Sequence, residues 1–447
     1  MPETAVHSAS PAHPTLAQAF PYWLKLGFIS FGGPAGQIAM MHQELVEKRR
    51  WISEHRFLHA LNYCMLLPGP EAIQLAIYIS WLLHGIPGAV MAGILFFLPA
   101  FALLSLLAAL YLTFGDIPLM QGLFYGIKPA VVAVVLFAAW RIGSKTVRNG
   151  ALFIIAALAF VGIFFFKIDF PWIVLAAGLA GALGGRFLPD RFKGGGGHGS
   201  SDKQYGPALL DDDTPPPAHA AFSWKRLAQM IVVFVLLWSV AMLTISGQPT
   251  LSAMGEFFTK AAFLTIGGAY AVLPYVYQGA VEHFGWLSGA QMIDGLALGE
   301  TTPGPLIMVV TWVGYLGGVS KSVAVHPIIA GLAGATVATF FTFLPSFLFI
   351  LAGGPIVEQS RDDITFSAPL TGISAAVVGV IVNLALFFAW HTFWPQATLD
   401  NPFAGHFHWL SVILSVAGFI ALWQYKVDIM RVIIASAVIG VVYTFAV

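Results

Sequence analysis

The sequence predicts an all-α, polytopic helical membrane protein made of two inverted homologous repeats, and three observations carry that prediction. The composition is 58% hydrophobic and only 9% charged. Nearly uncharged runs recur at 89–112, 131–140 with its flanks, 151–166, 231–245, 328–351 and 375–390. Each is long enough, or nearly so, to cross about 30 Å of hydrocarbon. Finally, a block of the first half returns in the second. Adding 235 takes Lys25 to Lys260, Gly32-Gly33 to Gly267-Gly268, Trp51 to Trp286 and Pro68-Gly69-Pro70 to Pro303-Gly304-Pro305, with no gap. Later the shift becomes 246, taking Leu98-Pro99 to Leu344-Pro345 and Gly126-Ile127 to Gly372-Ile373, which places an insertion near 318–326.

The same composition excludes other classes. Alternating polar strands with short turns, the mark of an outer-membrane barrel, are absent. Net charge is zero and gives no steer toward nucleic acid, and the single cysteine, Cys64, excludes an intrachain disulfide or a cysteine metal cluster. Residues 1–19 lack the basic start and apolar core of a signal peptide. Gly32-Gly33-Pro34-Ala35-Gly36 lacks the Lys-Ser/Thr of a phosphate loop. His55 and His59 have helical metal spacing but no convincing third ligand, so neither metal nor cofactor is expected.

In chain order, residues 1–19 read as a loose tail and 20–193 as the first repeat. Residues 194–220, with four glycines, Asp211-Asp212-Asp213 and Pro215-Pro216-Pro217, read as a flexible, dispensable linker before the second repeat at 221–447. Cations cluster at 48–56, 141–148 and 186–193 and at Lys225 and Arg226, so these loops are expected in the cytoplasm. The second-repeat counterpart of Lys48-Arg49-Arg50 is His283-Phe284-Gly285, which inverts the second unit. Parity agrees if 151–166, 171–183 and 231–245 are three extra spans. Placing 48–56 and 141–148 on one side then requires the Pro-Gly-Pro run to re-enter, and 20–40 with it. That gives about eleven crossings, against about thirteen if every run spans.

A helix cannot pass unbroken through Pro-Gly-Pro, because proline lacks an amide donor and collides with the preceding turn. Freed backbone at membrane depth is tolerated where protein buries it or where it lines a wet cavity. Two such breaks at matched positions point to a transport site, against the blander reading of two kinks. The candidate binding residues are therefore Pro68, Gly69 and Pro70 with Pro303, Gly304 and Pro305. Ser30, Gly32 and Gly33, matched by Thr265, Gly267 and Gly268, add hydroxyls and approachable amides. Lys25 and Lys260, retained in both copies, would supply positive field for an anion; snorkelling to the interface is the competing reading. Glu71, Asp294 and Glu300 are candidates for proton coupling or for capping the broken helices. Lys128 has Ser374 as its counterpart and gains no support from the repeat.

Residues 28–34 (Phe-Ile-Ser-Phe-Gly-Gly-Pro), Trp51, Leu67-Pro68-Gly69-Pro70 with Gln74, and Leu98-Pro99-Ala100-Phe101 resemble the signature of the chromate ion transporter family. The chain is similar to that family's long, two-domain form from about residue 20 to the end, departing at Ala269, where the first copy has Pro34. The resemblance implies a cell-membrane protein that exports chromate, a sulfate-like oxyanion, and confers resistance to it. A carrier of sulfate or another organic or inorganic anion stays open, as does a membrane enzyme acting on a lipid phosphate. Pairing into a homodimer and the mode of coupling (antiport, exchange or uniport) are also left open.

Overall fold

The computed structural model describes residues 11–31, 33–115, 117–192, 205–266, 269–321, 325–359, 367–397, 401 and 403–446. Apart from one isolated bridge between Ile52 and Leu210, these residues form helices, turns and loops. Helix α1 (Leu16–Ile29) starts at Thr15, whose hydroxyl accepts from the Gln18 amide while the Gln18 side chain accepts from the Thr15 amide. Such a capping box is worth roughly 0.5–2 kcal/mol. The helix thus begins inside the stretch expected as tail. After a break, α2 (Gly33–His42) runs into a π-helical turn, Gln43–Lys48.

Helix α3 (Glu54–Leu66), capped by Ser53, stops at the first Pro-Gly-Pro, and α4 (Glu71–Phe114) starts beyond it. Gly85, at φ 64°, divides α4 into two limbs. Both ends of the α3–α4 hairpin lie on the face that carries the basic loops. Arg56, near the start of α3, donates to the carbonyls of Asp211 and Thr214. At the end of the first α4 limb, His219 donates to the Trp81 carbonyl and His84 to that of Pro14. The chain therefore enters as far as the break and returns. The α1–α2 pair does the same: Pro14 precedes it on this face, and Arg50 and Trp51 beyond it accept from Leu209 and Leu210.

The second limb of α4 then crosses. Helices α5 (Pro118–Thr146), α6 (Gly150–Phe164) and α7 (Phe170–Phe187) follow, with one short turn, α8 (Pro189–Phe192). Helix α9 (Trp224–Ile245) crosses with no buried residue. The second repeat retraces the first: α10 (Pro249–Leu264), α11 (Ala269–Tyr277) with a π-helical turn at Gln278–His283, and α12 (Gly289–Thr301) up to the second break. A 3₁₀ turn, Leu306–Met308, leads into α13 (Val309–Ser320), then α14 (Pro327–Gln359), α15 (Ser367–Phe393), α16 (Trp409–Trp423) and α17 (Ile429–Ala446). Ser320 at the end of α13 donates to the Trp286 carbonyl before α12, so this hairpin also re-enters. It opens on the opposite face, where Asp294 of α12 meets Tyr111 at the far end of α4.

The re-entrant reading of both Pro-Gly-Pro segments therefore holds. The expected span count changes. Shifting by 259 carries Lys167 and Asp169 onto Lys426 and Asp428, and the two lysines share a left-handed backbone, φ 52° and 51°. Thus α6 and α7 correspond to α16 and α17, and only α9 is extra. One extra span is still odd, so the inversion stands. The described crossings are the second limb of α4 with α5, α6, α7, α9, α14, α15, α16 and α17: nine.

The repeats interlock through glycines. A Cβ on Gly126 of α5 would sit 2.0 Å from the Ser436 carbonyl, and one on Gly440 of α17 would sit 2.3 Å from the Gly126 nitrogen. The related pair, Gly372 of α15 and Gly181 of α7, is also close: a Cβ on Gly372 would lie 2.9 Å from the Gly181 Cα. Each repeat's last two helices thus pack on the other repeat, the small-residue contact that helix association in lipid favours. The linker also differs from expectation. Residues 205–220 are docked, with Leu210 and Ala220 buried and Ser53 Oγ donating to Asp212 at 2.5 Å. Residues 193–204 lie outside the described residues.

Candidate functional site

Four interrupted elements meet in the interior. Ser30 ends α1 at φ −76°, ψ 66°, and Thr265 ends α10 at φ −75°, ψ 75°. Their hydroxyls turn back onto their own helices, donating to Leu26 at 2.5 Å and Ala261 at 2.7 Å. Their carbonyls both accept from the other repeat, that of Ser30 also accepting from the Gln37 side chain of its own repeat at 3.3 Å. The Gly69 amide donates to the Thr265 carbonyl at 2.7 Å, and the Gly304 amide donates to the Ser30 carbonyl at 2.9 Å. Gly69 and Gly304 have φ of 118° and 116°, a left-handed region that only glycine enters freely. Each break is thereby held by the opposite repeat, and the freed backbone is partnered inside protein.

The pairing is symmetric in backbone but not in side chains. Gln37 donates to the Gly304 carbonyl at 2.7 Å and Gln74 to the Pro68 carbonyl at 2.6 Å. Their counterparts are Val272 and Val309. Past each break a helix starts from a proline that offers no side-chain cap, Pro70 and Pro305. By position the amides of Ala72 and Ile73, and of Leu306 and Ile307, lack intrahelical partners. Each helix start carries about half a positive charge.

Two carboxylates flank these starts. Glu71 opens α4, where its side chain accepts from its own amide. Glu300 ends α12 and accepts from the Tyr270 hydroxyl at 2.5 Å. The Arg141 guanidinium acts electrostatically on both and on Tyr270. Arg141 was expected in a cytoplasmic loop; it lies within α5, more than a turn before Thr146, half-buried. Its signal in the sequence was a cation next to Trp140 in an apolar run, with Phe387 at the matched position.

Other candidates lie elsewhere. Lys25 and Lys260 are exposed on α1 and α10, with Lys260 Nζ 3.8 Å from Glu256, so neither is brought to the breaks. Gly33 has φ 72° and open space around it, while Gly32, Gly267 and Gly268 lie outside the described residues. Asp294 sits about 9 Å up α12 from Glu300, on a cavity of about 490 Å³ that also holds Lys128. On the opposite face, Arg56 and Glu358 form a buried pair at 2.6 Å, with the Tyr78 hydroxyl donating to Glu358. Composition alone gave no hint of this pair.

The family model described as chromate transporter matches residues 17–182 and 252–441, which covers most of the chain and both repeats. The chain belongs to the chromate transporter family. Members resembling it include the chromate transport protein of Cupriavidus metallidurans, 30% identical over 98% of this chain and 95% of the relative. The chromate transport protein of Pseudomonas aeruginosa is 32% identical over 98% of this chain and 94% of the relative. The uncharacterized transporter YwrA of Bacillus subtilis matches 35% of this chain but 89% of its own length, as one repeat would. No solved structure matches. As a chromate transporter family member with these apolar spans, the chain is a multi-pass cell-membrane protein.

Proposed function

We propose that the chain exports chromate, holding the dianion between the two Pro-Gly-Pro breaks, and so confers chromate resistance. The observation that carries this is the reciprocal pair of hydrogen bonds, Gly69 to Thr265 and Gly304 to Ser30, which holds each break, and the uncapped helix start beyond it, against the other repeat's opening half-helix. Helix starts are natural anion sites. Each contributes about 0.3–2 kcal/mol, and an arginine even about 8 Å away adds roughly 4 kcal/mol for a dianion at an effective dielectric near 20. Arg141, which acts electrostatically on both carboxylates, adds to this positive field, and Glu71 and Glu300 oppose it whenever they are ionised. Glu71 and Glu300 are in this reading the groups whose protonation sets the local field.

Energetics favour the outward direction. The membrane potential is worth about 2.3 kcal/mol per charge per 100 mV, so a dianion is driven out by roughly twice that without any counter-proton. Sulfate shares the shape and charge of chromate and is the alternative substrate. A lipid-phosphate enzyme finds less support, because the acidic residues are dispersed: Asp294 on one face, Glu300 at the break. The test is radiolabelled chromate flux in proteoliposomes with pH gradient and potential set independently, with sulfate as competitor. Potential-driven chromate flux that sulfate inhibits weakly is expected; no chromate flux under any gradient overturns the reading.

A further inference from the structure

The cavity at the outer end of α12 holds an ion pair that the breaks do not use. Lys128 Nζ of α5 lies 3.5 Å from Asp294 Oδ1, and the Tyr111 hydroxyl donates to Asp294 Oδ2 at 3.0 Å. The aspartate side chain is 2% exposed, whereas that of Lys128 is 28% exposed toward the 490 Å³ space. The pair on the opposite face is built differently. There Arg56 and Glu358 are closed on both sides, at 6% and 4%. A pair shut away in that manner serves packing. A pair with one wet, reachable cation can exchange its partner.

We propose that this cavity is a second oxyanion site, in which Lys128 anchors the anion and Asp294 competes for the same ammonium. The inference rests on reading the chain as an oxyanion transporter. Protonating Asp294 frees Lys128, so anion and proton bind there with positive linkage. Conversely, an ionised Asp294 expels the anion, which makes this a release station on the face away from the basic loops. The titratable groups facing the cavity are Lys128 and Tyr125 from α5, Tyr111 from α4, His391 from α15 and His408 at the start of α16. From α13 Trp312 meets Tyr111 edge-on, and from α17 Tyr443 stacks on Tyr125.

The test is equilibrium binding of labelled chromate and labelled sulfate to the full chain in nanodiscs, across neutral pH, alongside chromate flux in proteoliposomes. In the wild type, binding should tighten as pH falls. Asp294→Asn should bind about tenfold more tightly at the alkaline end and lose the pH dependence. Lys128→Gln should lower the stoichiometry by one anion per chain, and Lys128→Arg should retain it. Should Asp294→Asn fail to fold, Tyr111→Phe, which removes one donor to the carboxylate, should move the onset of tightening to higher pH. Unchanged stoichiometry in Lys128→Gln overturns the proposal. So does a pH dependence that survives in the folded aspartate or tyrosine variant and disappears instead with His391→Gln or His408→Gln. Wild-type protein with no chromate flux or binding removes the transporter reading itself, and this site with it; normal flux with variants like wild type removes only this site.

Discussion

The amide of Gly304 donates to the carbonyl of Ser30 at 2.9 Å, so the second repeat's break is pinned to the end of the first repeat's opening half-helix. Its mirror, Gly69 to Thr265, does the reverse. Neither repeat can move its break without disturbing the other, which couples the two halves at the place where substrate is proposed to sit.

Alanine at the two glycines should not be equally harmful. Both have left-handed φ, a cost of about 1–3 kcal/mol for any other residue. A Cβ at 69 would meet the ends of two side chains, Gln74 at 2.6 Å and Ser346 Oγ at 2.9 Å, which can swing aside at the cost of the Gln74 bond to the Pro68 carbonyl. A Cβ at 304 would meet Ala100 Cβ at 2.7 Å, fixed on α4. Gly304→Ala should therefore lower thermal stability and flux more than Gly69→Ala, and Ala100→Gly should partly restore it. Melting and flux measurements on the three variants decide; equal losses would contradict the geometry.

Arg141→Gln is expected to raise the half-saturation concentration for chromate by about tenfold or more, with Arg141→Lys intermediate because the ammonium keeps the charge but not the fork. Lys25→Gln and Lys260→Gln, on the exposed faces of α1 and α10, should change it by less than about twofold. Transport kinetics on correctly inserted protein separate the two sets. A large shift in the lysine variants with none at Arg141 would return the positive field to Lys25 and Lys260.

Removing one member of the Arg56–Glu358 pair, buried on both sides, should cost about 3–5 kcal/mol of stability. Replacing both with apolar residues should cost far less. Melting temperatures of Glu358→Met, Arg56→Met and the double variant test this; a double variant as unstable as the singles would assign the loss to shape and not to stranded charge.

Residues 205–214 are expected to matter and 193–204 not to. The former pairs with Arg50–Ser53 and caps Arg56 through two carbonyls. A Gly/Ser replacement of equal length over each segment, assayed for melting temperature and flux, should lower both only for 205–214.

Much of this architecture was legible because duplication writes itself twice. The 235 shift located both breaks, and the basic loops gave the inversion. The α6–α7 and α16–α17 match escaped because lipid-facing helices tolerate any apolar residue, leaving only Lys167-Ile168-Asp169 and Lys426-Val427-Asp428 as a trace. Pro-Gly-Pro named the breaks, but not their partners: a carbonyl such as that of Ser30 has no sequence signature. Arg141 was misplaced because a cation near a helix end reads as a loop, when snorkelling and inward burial look alike in one dimension. Lys25 and Lys260 stood out for the opposite reason. Their matched positions report a shared helix face, and that face points outward.

The anomalous scattering of chromium in crystals soaked with chromate tests the central claim most directly. The account predicts a peak between the two breaks, within hydrogen-bonding distance of the amides of Ala72, Ile73, Leu306 or Ile307. Chromium found only beside Lys25 and Lys260, or only in the cavity at Lys128, with nothing between the breaks, would contradict it.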